Sequence, residues 1–254
     1  MITAVIFMAG GCDKDDAPNR SKSYDLAVKD VLGVSGKVTF TETSTTSTTI
    51  DIVLTNAPSG THPANLYMYS TVEDGTVAKT LNQVDATGKS STVVNMSFSQ
   101  LITYDGSIRV LKSSSEPTVI LAQGEIGGNV ITTTNKSYNL STIGVFGVSG
   151  TALFEKRENG NTLVTISLTG TIPGESYPAT INLGSIASVD DGTIRKTLVN
   201  VDGTTGKSYT NIRKLDSGTD ITYENWLVYV GYINIYQTSI LTANIISHGN
   251  IGTN

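Results

Sequence analysis

Few side chains in this sequence can do chemistry, and their spacing limits what that chemistry is. The chain of 254 residues has one cysteine, Cys12, and two histidines, His62 and His248. An internal disulfide needs two cysteines and a thiolate zinc cage needs several, so both are excluded. His62 precedes Pro63 in SGTHPAN and His248 stands near the C-terminus. Neither has a second histidine or a carboxylate at ligand spacing in its own segment, so both read as isolated loop histidines. Thr-Gly-Lys-Ser occurs at 87–90 and again at 205–208 and suggests a phosphate loop. That motif needs a glycine five residues before the Gly-Lys pair, and those positions hold Gln83 and Val201. No helical pattern follows either copy to supply the N-terminal amides that bind phosphate. Nucleotide binding is therefore set aside, and the tetrapeptide reads as a hairpin turn. Asp74, Asp191, Asp85 and Asp202 fall in turns, where a carboxylate holds nearby backbone N–H groups. Asp190-Asp191 is the one place where a weak Ca²⁺ site is considered. With no Gly-X-Ser-X-Gly elbow either, no catalytic residue, metal ligand or cofactor site is predicted, and the chain reads as a non-enzyme.

Cys12 has a different use. Residues 1–11, MITAVIFMAGG, form a short apolar stretch ending in small residues, the profile of a secretory signal. Ala9-Gly10-Gly11-Cys12 resembles the lipobox of bacterial lipoproteins. The resemblance implies cleavage before Cys12 and a lipid thioether on its sulfur. Asp13-Lys14-Asp15-Asp16 resembles the lysine-plus-acidic signal that sends some lipoproteins to the outer face of a Gram-negative outer membrane. It implies cell-surface display, with a periplasm-facing anchor as the alternative. Residues 12–21 are polar and aperiodic and read as a tether. Elsewhere the chain is 38% hydrophobic but only 15% charged, with a net charge of −5, which argues for a folded protein and against a nucleic-acid surface. No run of about 20 apolar residues is present to span a bilayer as a helix.

The rest of the chain repeats itself. KSYDLAVKDVLGVSG at 22–36 aligns without gaps to KSYNLSTIGVFGVSG at 136–150. The correspondence continues through Pro63-Ala64 and Pro178-Ala179, Asp74-Gly75-Thr76 and Asp191-Gly192-Thr193, and Lys79-Thr80-Leu81 and Lys196-Thr197-Leu198. The TGKS tetrapeptides follow. ITYD at 102–105 is then matched to ITYE at 221–224, and GEIGGN at 124–129 to GNIGTN at 249–254. Order is kept while the offset grows, as a tandem duplication with longer loops in the second copy predicts. The units are 22–131 and 136–254, with a boundary near 130–135.

Each unit reads as β. In TTIDIVLT (48–55), Ile50, Ile52 and Leu54 alternate with Thr49, Asp51 and Val53, and LVTISLTG (163–170) repeats the pattern. Further strands are expected at 64–71, 91–98, 107–112, 118–126, 151–157, 179–185, 227–237 and 240–247. No segment beyond the signal keeps a helical period. Many short strands separated by Asp-Gly-Thr and Thr-Gly-Lys turns predict an all-β fold of two tandem antiparallel sandwiches with Greek-key connections.

The second unit carries a more specific likeness. TIPGESYPATINLGS (171–185), TLVNVDGTTGKS (197–208), ITYE, GYINIYQTS (231–239) and IISHGNIGTN (245–254) resemble the bacterial CHRD (chordin-type) domain. The first unit follows the same plan more weakly, so the two copies cover nearly all of 22–254. The resemblance implies β-sandwiches similar to copper-zinc superoxide dismutase. It also implies histidines in a Pro-Ala-His-Ile-His strand and at the end of Tyr-Ile-Asn-Val-His. Here those positions are Asn65 and Tyr67 in the first copy, Thr180 and Asn182 in the second, and Tyr236. Asn, Thr and Tyr hold copper or zinc poorly, so the resemblance keeps the fold and withdraws the metal chemistry.

Aromatic residues remain. Tyr67 and Tyr69 are expected on one face of strand 64–71, with Leu66 and Met68 on the other, and Trp226, Tyr229, Tyr232 and Tyr236 cluster in the second unit. Such residues serve either as a contact for a protein or glycan ligand or as internal packing, and packing is preferred. The function expected is that of a cell-surface lipoprotein with a binding, adhesion or envelope-structural role. The alternatives are a degenerate metal-binding, redox-defence domain and an accessory lipoprotein of an outer-membrane uptake or secretion complex.

Overall fold

The computed structural model describes residues 20–187, 192–237 and 244–254. Cys12 and its flanks, and Asp190 and Asp191, lie outside them. The first copy forms β1 (Ser21–Val28), β2 (Ser35–Ser44), β3 (Ser47–Thr55), β4 (His62–Met68), β5 (Val77–Val84), β6 (Lys89–Val94), a one-turn helix α1 (Phe98–Leu101), β7 (Asp105–Leu111) and β8 (Ile120–Gly127). The second forms β9 (Ile131–Thr142), β10 (Ser149–Arg157), β11 (Thr162–Thr169), β12 (Ser176–Leu183), β13 (Ile194–Asp202), β14 (Lys207–Ile212), α2 (Tyr223–Leu227), β15 (Val230–Tyr236) and β16 (Ile245–Gly252). β9 begins inside the segment read as the boundary, and Ile131 pairs with Arg157 of β10.

Two antiparallel eight-stranded sheets result: β5-β4-β7-β8-β1-β2-β3-β6, and the closed barrel β10-β11-β14-β13-β12-β15-β16-β9. Counted within its own copy, each has the same order of strands: first, second, third, sixth, fifth, fourth, seventh, eighth. Each sheet wraps its own core. In β3, Ile50, Ile52 and Leu54 point inward as the period of two requires. A buried Ile or Leu contributes about 1.5–3 kcal/mol relative to exposure. The second core is built on edge-to-face aromatics: the Phe154 ring lies 5.3 Å from Tyr138 and 5.9 Å from Trp226.

The seam between the fifth and sixth strands is made largely by side chains. In the first copy the Asn82 N–H donates to Thr92 Oγ1 at 2.8 Å, and the Asn82 side chain donates to the Ser91 carbonyl at 2.6 Å. In the second the Val199 N–H donates to Thr210 Oγ1 at 2.9 Å, beside a single backbone pairing, Asp202 with Lys207.

Several expectations need correction. Among the described residues two short helices form, because each starts with a capping box: Ser97 with Gln100, and Thr222 with Asn225. Four or five residues are too few to show a helical period. The strand expected to run to 98 therefore stops at Val94, and the one expected from 227 starts at Val230. The last strand is Ile245–Gly252; residues 240–243 of the expected span lie outside the described residues. ITYD and ITYE are not structural equivalents, since ITYD follows α1 and leads into β7 while ITYE leads into α2. The true partners are Tyr104 and Tyr229, whose carbonyls accept from the Gly128 and Thr253 N–H groups at 2.9 Å and 3.1 Å. Tyr69 is not on a strand face; it follows Met68 with φ at +68°, and Met68 is exposed rather than inward. Finally, neither histidine is in a loop, for His62 opens β4 and His248 lies within β16.

Candidate functional site

The positions where the resemblance calls for histidines meet on one face of the second barrel. β12 is buried on both sides: Ala179 and Ile181 enter the core, while Thr180 and Asn182 face outward and are still almost fully buried. The Asn182 side-chain N–H donates to Thr180 Oγ1 at 3.0 Å, Thr180 Oγ1 lies 3.3 Å from the Tyr236 hydroxyl, and the Asn234 amide donates to that hydroxyl at 3.4 Å. Strand register places Asn234 between Thr180 and His248 in a single cross-strand row. Burial holds the His248 imidazole below its usual range, which favours the neutral ring. The face is thus a set of neutral hydrogen-bonding groups closed mostly on one another.

The equivalent face of the first barrel has charges. Arg109 lies over the Tyr67 ring at 4.7 Å and donates to the Glu73 carbonyl at 2.9 Å, which ties down the loop after β4. Glu125 accepts from the Thr71 N–H at 3.0 Å and its hydroxyl at 2.8 Å. The same face reaches the second barrel. The Asn211 amide donates to Glu73 at 2.7 Å, and Arg213 reaches Glu73 at 2.9 Å and Asp105 at 3.6 Å. Arg213 also stacks on the Tyr69 ring at 3.6 Å. Arg157, fully buried, bonds Asn211 at 2.8 Å and the Asn129 carbonyl and lies 3.5 Å from Glu125. Burial pushes the Asp105 carboxyl up despite Arg213, and does the same to Glu125 despite Arg157. Ser70, Ser107 and Asn129 each hold a buried side-chain oxygen with no protein partner among the described residues.

Sequence reading missed this junction. Its partners lie far apart in the chain and obey no local period. Four charged residues that have an uncharged counterpart in the other copy meet here: Asp105 against Val230, Glu125 against Asn250, Arg157 against Thr43, and Arg213 against Asn95.

Beside the junction lies a cavity of about 680 Å³, walled by Tyr24, Phe98, Ile102 and Val130, with Lys22 and Glu158 also lining it. Arg20, which lines it too, is occupied by Glu42, to which it donates at 2.6 Å and 2.8 Å.

The remaining candidates have local partners. The His62 ring nitrogens lie 2.6 Å and 3.0 Å from the carbonyls of Lys112 and Pro58. Asp85 accepts from the Thr87 hydroxyl and N–H, and Asp202 from the same groups of Thr205, which holds both carboxyls below their usual range. Gly88 and Gly206 take φ of +78° and +68° in those turns, so both TGKS segments form tight turns into strands. Trp226 is buried in the second core, whereas Tyr232 and Tyr236 are buried with their hydroxyls hydrogen-bonded, the first to the Gly192 N–H at 2.8 Å and the second within the polar cluster. Among the described residues no group of three or more His, Cys, Asp or Glu is placed to hold a metal ion. Comparison with protein-family models, curated proteins and solved structures finds no match.

Proposed function

We propose that this chain is a non-enzymatic lipoprotein of the bacterial cell surface, anchored through Cys12, with two CHRD-like domains that serve binding, adhesion or envelope structure. The observation that carries the reading is the hydrogen-bonded cluster of Thr180, Asn182, Asn234 and Tyr236. Where the resembled family has metal-ligating imidazoles, this chain has uncharged groups bonded mainly to each other, so the domain is read as a scaffold. The strand order supports the finer reading of the fold: the third strand lies beside the sixth, followed by the fifth and fourth, which is the order of a Greek key. A protein partner is favoured over a glycan. The aromatic rings that would stack on a sugar are buried, as in Trp226, or covered by arginine, as in Tyr67 and Tyr69.

The test is detergent phase partitioning with intact mass, on wild type and Cys12→Ala expressed from the native start. The wild type enters the detergent phase with the mass of a lipidated chain beginning at Cys12. Cys12→Ala stays aqueous and folds normally. Identical aqueous partitioning, with an unmodified cysteine in the wild type, would overturn the anchor.

A further inference from the structure

The cavity beside the junction is built by both barrels. Tyr24, Phe98 and Ile102 come from the first, Val130 from the connection into β9, and Glu158 and Asn159 from the turn between β10 and β11. Two backbone bonds fix that turn. The Glu158 N–H donates to the Val130 carbonyl at 3.0 Å, and the Asn159 N–H donates to the Gly128 carbonyl at 2.8 Å. Arg20 is held as well: it is paired with Glu42, donates to Ser99 Oγ at 3.3 Å, and lies 5.0 Å from the centre of the Phe98 ring. The walls therefore stand before any ligand arrives, which keeps the ordering cost of binding low.

Lys22 and Glu158 are less constrained. Both are exposed and both line the cavity. Among the described residues neither enters an ion pair, with the other or with a third group. Both bear on Tyr24. Lys22 Nζ lies 6.0 Å from the centre of its ring. Burial pushes the Tyr24 hydroxyl up, a bond from the Gly127 backbone opposes this, and the Glu158 carboxylate adds to the rise. A cation and an anion thus share the rim of an apolar floor. An anionic amphiphile would meet Glu158, and a cationic one would meet Lys22. Only a ligand with both charges finds a complement for each. The volume of about 680 Å³ is more than one amino acid fills, and pockets of roughly 300–1,000 Å³ hold ligands several times larger.

We propose that this cavity binds a short peptide with free termini and apolar side chains. Its ammonium pairs with Glu158, its carboxylate pairs with Lys22, and a side chain packs against Ile102 and Val130. The two charges come from different barrels, so the site occurs once per chain. The inference rests on the binding role proposed above and gives it a ligand class. It does not involve the anchor, so its failure leaves the partitioning result to stand or fall alone.

Calorimetric titration of the full chain carrying Cys12→Ala, with dileucine as the probe, tests it. Dileucine binds once per chain. Acetylating its amine or amidating its carboxylate weakens binding by about fivefold, the size of a partly exposed ion pair. Diglycine, which has both charges and no apolar side chain, binds at least about tenfold more weakly. Glu158→Gln makes dileucine and its acetylated form bind alike, and Lys22→Met does the same for dileucine and its amide. Both positions are exposed, and thermal unfolding checks that the variants fold. No binding of dileucine at millimolar concentration overturns the site. So do variants that bind as the parent does, caps that change nothing, and free leucine that binds as tightly as dileucine. Retention on phosphatidylethanolamine vesicles without dileucine binding would overturn the peptide in favour of a lipid headgroup.

Discussion

Arg213 joins three groups of the first barrel: it pairs with Glu73, approaches Asp105, and stacks on Tyr69. Tyr69 holds a left-handed backbone, which costs a non-glycine residue about 1–2 kcal/mol. A cation over its ring contributes about 0.5–2 kcal/mol in return, so the stacking is of the size needed to hold that turn. The carboxylates here are less comfortable. Burial raises the Asp105 pKa, so the folded chain binds that proton more tightly than the unfolded chain does. Its contribution to stability is greatest in acid and is lost as pH rises from the ordinary carboxylate range through the raised value. Asp105→Asn should therefore be more stable than wild type at neutral pH, because Arg213 keeps Glu73, and the difference should close on acidification. Denaturant midpoints at the two pH values check this, and a variant less stable than wild type at neutral pH would refute it. Asp85 and Asp202 behave oppositely: their carboxyls are held low, so their contribution is present near neutral pH and lost as pH falls.

At the scale of elements, close approach between strands decides what is tolerated. A Cβ on Gly249 would be driven into the Asn139 carbonyl oxygen of β9, and one on the equivalent Gly124 into that of Asp25 in β1. Gly249→Ala should cost about 1–3 kcal/mol of stability by overpacking, read from chemical denaturation of the purified protein. An unchanged midpoint would mean that β16 can slide away from β9. Such contacts explain which elements were legible. β3 and β11 could be read because buried apolar residues recur at every second position, Ile50, Ile52 and Leu54 in one and Val164, Ile166 and Leu168 in the other. β12 was harder, since it is buried on both faces and shows no alternation. The helices signal themselves only by their capping boxes, and Pro63 after His62 suggests a loop although His62 begins a strand.

At the scale of the whole molecule, the duplication was legible because sequence identity survives in the first strand of each copy and in turns, where glycine and aspartate hold the backbone. The junction was not, because its pairs are set by tertiary placement: Glu73 and Asn211 are 138 positions apart and obey no local period. The duplication also carries the seam into both barrels, and there one hydroxyl on each, Thr92 or Thr210, receives a backbone N–H that a continuous ladder would have paired with a carbonyl. This sets where each barrel breathes. Amide exchange reports opening of individual hydrogen bonds, and segments with few backbone partners open at lower free energy than core strands. The Asn82 and Val199 amides should therefore exchange with solvent before those of β3 and β11. Thr92→Val and Thr210→Val should each hasten exchange at their own seam and leave the other barrel's protection unchanged. Acceleration in both barrels from either single change would mean that the two open as one cooperative unit. With separate opening, a chain under local stress can unzip a single seam while its twin stays shut.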